Sequence, residues 1–145
     1  MRLKIFFIGL TITALFLSNS MAEQKIMPKK FNRADNVIAY YFHGNYRCAS
    51  CTKIEKYSRD AISNYFSKEI KAGFLSFQAV NTDLSENKHF LKDYQLYTKS
   101  LVLISVKEGK ILKWKNLDKI WQRLNNKAAF YNYVQTETKK FLEEA

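Results

Sequence analysis

The chain has 145 residues, 47% of them hydrophobic, and a formal net charge of +11. That length is enough for one domain with its own core. The surplus of lysine and arginine is scattered between apolar positions and not gathered in a block, which argues against nucleic acid. It describes a solvated surface that favours acidic partners or anionic lipid headgroups, and so a contact with a membrane surface.

The N-terminus opens with Met1-Arg2-Leu3-Lys4, followed by an uncharged, mostly apolar run from Ile5 to Leu17. Small Ser20 and Ala22 then stand at −3 and −1 relative to Glu23. This order of parts predicts a secretory signal peptide over 1–22, cleaved after Ala22, and a periplasmic or secreted protein. The alternative is an uncleaved anchor, but the apolar run is short for a span of about 20 residues. Residues 23–35 form a polar, basic lead-in with few apolar anchors, Ile26, Met27 and Phe31. The domain proper is expected over 36–145.

Val37 to Phe42 is β-branched and aromatic without charge, as expected of a central strand buried on both faces. Cys48 and Cys51, the only cysteines, follow three positions apart in a C-x-x-C. From Cys51 the apolar positions Ile54, Tyr57, Ala61, Ile62, Tyr65, Phe66 and Ile70 recur at three and four, predicting a helix that stops at Gly73. Cys48 would then lie at a helix N-terminus, where unpaired N–H groups and the helix dipole favour thiolate over thiol. Phe74 to Val80 alternates as a second strand. Asp83 is expected to cap a second helix, with Glu86 completing a capping box and Phe90, Leu91 and Tyr94 facing in. Leu101 to Val106 reads as a third strand, with a hairpin turn over 107–110 into Ile111–Trp114. Asn116 is expected to cap a final helical region in which Ile120, Trp121 and Leu124 face in. This region breaks near Asn125-Asn126 and resumes through Phe130, Tyr133, Val134 and Phe141. The order β-α-β-α-β-β-α predicts an α/β fold, a mixed sheet of four to five strands with helices on both faces.

Each candidate site residue has a functional and a structural reading. Cys48 and Cys51 form either a redox couple or a static disulfide, and so short a loop constrains the unfolded chain little. Arg47 either stabilises the Cys48 thiolate or is an ordinary exposed arginine. His43 ends the first strand beside the cysteine loop, as a proton carrier, a metal ligand or a hydrogen-bonded structural histidine. Cys48, Cys51 and His43 together would be one ligand short of a closed zinc site, though a soft ion such as Cu(I) also suits two thiolates. His89 is a weaker candidate. Tyr40, Tyr41, Tyr57, Tyr65 and Phe66 are read as core.

The element order with a C-x-x-C after the first strand resembles the thioredoxin-like superfamily, over nearly all of residues 36–143. The resemblance implies a three-layer α/β/α fold and thiol–disulfide exchange, with no cofactor beyond the dithiol. Two positions depart from the thioredoxin pattern. Ser100, after Thr98-Lys99, stands at or near the place of a cis-proline, and Phe42 replaces the buried acid six residues before the first cysteine. A narrower resemblance is to small exported bacterial thioredoxin-like proteins described as accessory subunits of nitroaromatic-arsenical reduction. It rests on Tyr40-Tyr41-Phe42-His43-Gly44-Asn45, Cys48 to Cys51, Asp93-Tyr94-Gln95-Leu96, Thr98-Lys99-Ser100 and Trp114-Lys115-Asn116-Leu117. It implies a monomeric, dedicated electron carrier with a protein disulfide or dithiol partner in the envelope, not a broad-range reductase. The Thr98-Lys99-Ser100 turn is then expected to face Cys48 and set partner choice, with Lys99–Ser100 trans. The alternative is a Cu- or Zn-binding module, or a non-catalytic accessory one.

Overall fold

A computed structural model describes residues 34–145. The expected signal peptide over 1–22 and nearly all of the lead-in lie outside the described residues. Strand β1 (Asn36–His43) is flanked by β2 (Leu75–Asn81) and β3 (Ser100–Lys107), and β4 (Lys110–Asn116) forms the edge beyond β3. β1 runs parallel to β2 and antiparallel to β3, and β3 and β4 are antiparallel. The sheet is therefore mixed, with four strands among the described residues.

The central place of β1 follows from its side chains. Alternation along a strand sends Val37, Ala39 and Tyr41 to one face and Tyr40 and Phe42 to the other. The first set joins Leu101 and Leu103 of β3 in the larger core, with Ile54, Ile62, Phe130, Val134 and Phe141. The second set meets Tyr94, Leu96, Val102, Ile104 and Phe90 in a smaller core on the opposite face. A strand apolar on both faces has to sit inside the sheet, because at an edge one of its sides would lose cover.

Helices α1 (Ala49–Tyr65) and α4 (Lys127–Glu143) pack together over the larger core, with Tyr57 set edge-on to Phe130 at 5.5 Å. The first helix is shorter than its apolar pattern predicts. The chain leaves helical geometry at Phe66 (φ −125°, ψ 34°), which buries its ring in the larger core. A short α2 (Ser67–Lys71) follows, and Gly73, in the left-handed region at φ +70°, closes it. On the other face α3 is a single turn (His89–Asp93), too short to present a full apolar stripe. Phe90 and Tyr94 turn inward as expected, but Leu91 is 43% exposed. Tyr65, expected in the core, is also largely exposed, at 45%.

Two helix caps differ from expectation. Asp83 caps nothing: the turn Ser85–Asn87 is 3-10, begins after Leu84 and has no side-chain cap. Asn116 remains in β4, paired with Val102, because extended pairing with β3 carries on through it. Leu117 is buried and a 3-10 turn over Asp118–Ile120 follows. The cap belongs to Asn126, whose side-chain oxygen accepts from the Ala129 N–H at 3.0 Å. Losing that acceptor strands a helix-terminal donor, so Asn126→Ala should lower stability by about 1 kcal/mol, read as a drop in the urea midpoint at unchanged slope. The hairpin between β3 and β4 turns where expected. Glu108 (φ 50°) and Gly109 (φ 73°) both take positive φ, the geometry that matches the twist of the flanking strands.

Candidate functional site

The loop 44–48 leaves the C-terminal end of β1 and enters α1. Cys48 is extended (φ −74°, ψ 162°) and caps the helix through its own sulfur, which accepts the Cys51 N–H at 3.1 Å. Cys48 and Cys51 are joined in a disulfide, their Cα atoms 5.0 Å apart. The two sulfurs differ in access: Cys51 is 1% exposed, whereas Cys48 is partly exposed. The first turn of α1 carries no acidic residue, so nothing there neutralises the positive end of the helix.

Beneath this turn lies Tyr41, fully buried, whose hydroxyl donates to the Cys51 carbonyl at 2.8 Å. Burial pushes the Tyr41 phenol up to about 12, against a smaller opposing effect of Arg47. It therefore stays a neutral donor across the physiological range. From the sequence Tyr41 reads as a core residue, with no hydrogen-bonding role. The signal that places it under the helix is the two-residue period of β1, which puts it on the same face as Val37 and Ala39.

Arg47 does not extend toward Cys48. Its guanidinium pairs with Glu55, which also accepts from Arg59 at 2.9 Å. Burial works against charge on Glu55, but hydrogen bonds from Arg59 and Arg47 outweigh it and hold the carboxyl below its ordinary value. The arginine expected to support a thiolate is thus engaged with a carboxylate about two helical turns into α1.

His43 ends β1 and stacks on the Tyr41 ring, centroids 6.1 Å apart, with Nδ1 3.0 Å from the Gly44 carbonyl oxygen. A carbonyl only accepts, so that bond needs the proton on Nδ1. The ligand set Cys48, Cys51 and His43 does not assemble. Among the described residues no three His, Cys, Asp or Glu side chains are grouped to hold an ion.

Asp83 has a role that its sequence position alone does not show. Its carboxylate accepts the Asn45 N–H at 2.7 Å, and a Cβ on Gly44 would stand 2.8 Å from Asp83 Oδ2. Nearby, the Thr82 N–H donates to the His43 carbonyl at 2.7 Å, and the Asn81 amide donates to Asn45 Oδ1 at 2.7 Å. The start of the cysteine loop is therefore tied to the end of β2, and only glycine fits at 44 without displacing the carboxylate.

Thr98, Lys99 and Ser100 form the turn into β3. Ser100 is buried, pairs with Phe42 across the sheet, and its hydroxyl donates to the Thr98 carbonyl at 2.9 Å. The Trp121 indole N–H donates to the Lys99 carbonyl at 2.9 Å. The Ser100 hydroxyl is thus committed inside the turn, and no cis peptide bond occurs among the described residues. Thr98, Lys99 and His43 come together in a cleft of about 200 Å³, floored by Phe42 and Leu96 and bounded by Asp83. Tyr46 and Tyr97, which sequence reasoning passed over, also line it and are 76% and 94% exposed. Neither cysteine lines this cleft.

No protein-family model and no curated protein matches the chain. Among solved structures it aligns with one described as "Structure of a malarial protein", at 18% identity and a TM-score of 0.37. The match spans 56% of this chain and 80% of that one, and a likeness this loose bears on neither fold nor function. What stands by itself is a C-x-x-C disulfide at the start of α1 in a mixed α/β fold, an arrangement compatible with redox chemistry.

Proposed function

We propose that this chain is an exported, thioredoxin-like thiol–disulfide oxidoreductase that works through the Cys48–Cys51 couple. The observation that carries the reading is the asymmetry of the pair: Cys48 is partly exposed at the helix N-terminus, and Cys51 is buried behind it. The strand order β2-β1-β3-β4, with the cysteines directly after β1, supports a three-layer thioredoxin-like architecture.

In the reducing direction, the Cys48 thiolate attacks one sulfur of a partner disulfide. The partner S–S bond breaks, one partner thiolate leaves and takes a proton, and a mixed disulfide remains on Cys48. The Cys51 thiol loses its proton and attacks Cys48 Sγ, which releases the second partner thiol. The partner gains two electrons and the chain is left oxidised at Cys48–Cys51, to be reduced again by a dithiol donor. The reverse sequence oxidises a partner.

The sequence resemblance to accessory subunits of nitroaromatic-arsenical reduction supports a dedicated carrier, acting as a monomer on an envelope protein. The internally braced Thr98–Ser100 turn supports a narrow partner range, since a fixed trans turn offers a different groove from one shaped by a cis-proline. Mixing the reduced protein with a small alkyl disulfide tests the reaction itself. Stoichiometric release of thiol with closure of Cys48–Cys51 is the expected result, and two inert thiols would overturn the reading. Export is tested separately. Intact mass of the protein recovered from the exporting cell should begin at Glu23, and a retained Met1-to-Ala22 segment would refute cleavage there.

A further inference from the structure

Tyr41 connects the sheet to the redox pair. Its hydroxyl donates to the Cys51 carbonyl, and the Cys51 N–H donates to Cys48 Sγ. The two bonds hold Cys51 on either side of its Cα. One fixes it to β1, and the other carries a partial positive charge toward the sulfur at the helix start. The Cys51 carbonyl lies in the first turn of α1, where its second lone pair remains available for the helical bond from residue 55. The phenol therefore adds a bond to the helix start without taking one away.

We propose that Tyr41 is a positioning residue for the Cys48–Cys51 couple, which locks the Cys51 backbone so that its N–H stays aimed at Cys48 Sγ in the reduced protein. The inference rests on the redox reading of the pair and deepens it. Once the disulfide is opened, the covalent link no longer holds Cys51 N–H and Cys48 Sγ at 3.1 Å. Only the backbone remains to do so. A thiolate gains most from a donor already in place, since a donor that has to be ordered costs conformational freedom. The hydroxyl of Tyr41 supplies that order from within the core, out of reach of competing water. Its effect falls on the reduced state, which is why it should register in the redox equilibrium and not only in stability.

Tyr41→Phe removes one oxygen and leaves the ring in the core, so folding should survive. The carbonyl bond is lost from both redox states and cancels, but in the reduced state alone the Cys51 N–H loses its aim at Cys48 Sγ. With that donor weakened by about one hydrogen bond of ordinary net strength, the equilibrium constant for reduction by glutathione should fall about fivefold. Cys48 should also alkylate more slowly at neutral pH. Tyr131→Phe is the control, because it deletes the hydroxyl that donates to Asp60 at 3.0 Å, in the C-terminal half of α1. The control should leave the equilibrium constant at the wild-type value. An unchanged constant in Tyr41→Phe, or an equal shift in both variants, would overturn the proposal. The glutathione equilibrium needs no physiological partner. A wild-type protein that failed to exchange with other disulfides would count against the oxidoreductase reading, while the shift in Tyr41→Phe would still decide the positioning role.

Discussion

Cys48→Ser should abolish disulfide exchange, with a fall of about a thousandfold or more, and Cys51→Ser should stall it halfway. The two variants fail differently because the sulfurs sit differently. With Cys48 gone, the remaining thiol is 1% exposed under the first turn of α1, and no partner disulfide reaches it in line. With Cys51 gone, the partly exposed Cys48 keeps the dipole and N–H donors of the helix start, so the first attack proceeds. No resolving thiol follows, and the mixed disulfide accumulates. Mass spectrometry of each variant after exposure to a disulfide reads both outcomes directly. An adduct on Cys51 in Cys48→Ser, with none on Cys48 in Cys51→Ser, would reverse the assigned roles.

Phe130→Ala should destabilise the fold by about 3–5 kcal/mol, the range for truncating a buried aromatic side chain. Phe130 is fully buried, lies edge-on to Tyr57, and stands one turn into α4 from its Asn126 cap. It therefore joins the helix that carries the cysteines to the helix that covers the same core. A typical domain is stable by about 5–15 kcal/mol, so the loss is a large fraction of the whole. Urea unfolding should show the midpoint collapse. Leu91→Ala, a truncation of an exposed residue on the opposite face, should stay within about 0.5 kcal/mol of the parent. Equal effects in the two variants would mean that the core has been misplaced.

The parts of the fold that were legible in the sequence are those with a local cause. The uncharged run over 37–42 had to be a central strand, and Gly109 behind a charged pair had to be a turn. The cysteines had to open a helix, because the apolar spacing of three and four starts just after them. The parts that were not legible depend on neighbours distant in sequence. Asp83 looks like a helix cap until Asn45, 38 positions away, brings its N–H to the carboxylate. Asn116 and Asn126 are equally good caps by residue type, and only the pairing of Asn116 with Val102 keeps the former in a strand. Arg47 next to a cysteine suggests thiolate stabilisation, but Glu55 two turns into the helix lies close enough to claim it. Tyr41 was visible as a core residue, while its hydrogen bond to Cys51 appears only when β1 and α1 are stacked.

A redox titration of Cys48–Cys51 in glutathione buffers tests the central claim most directly, because a working couple and a structural staple differ in potential. Oxidoreductases of this chemistry lie between about −120 and −270 mV, whereas structural disulfides fall below about −300 mV. The helix-start donors that favour the Cys48 thiolate stabilise the reduced form, so the potential is expected in the first range. A value below about −300 mV would identify a static disulfide and contradict the account.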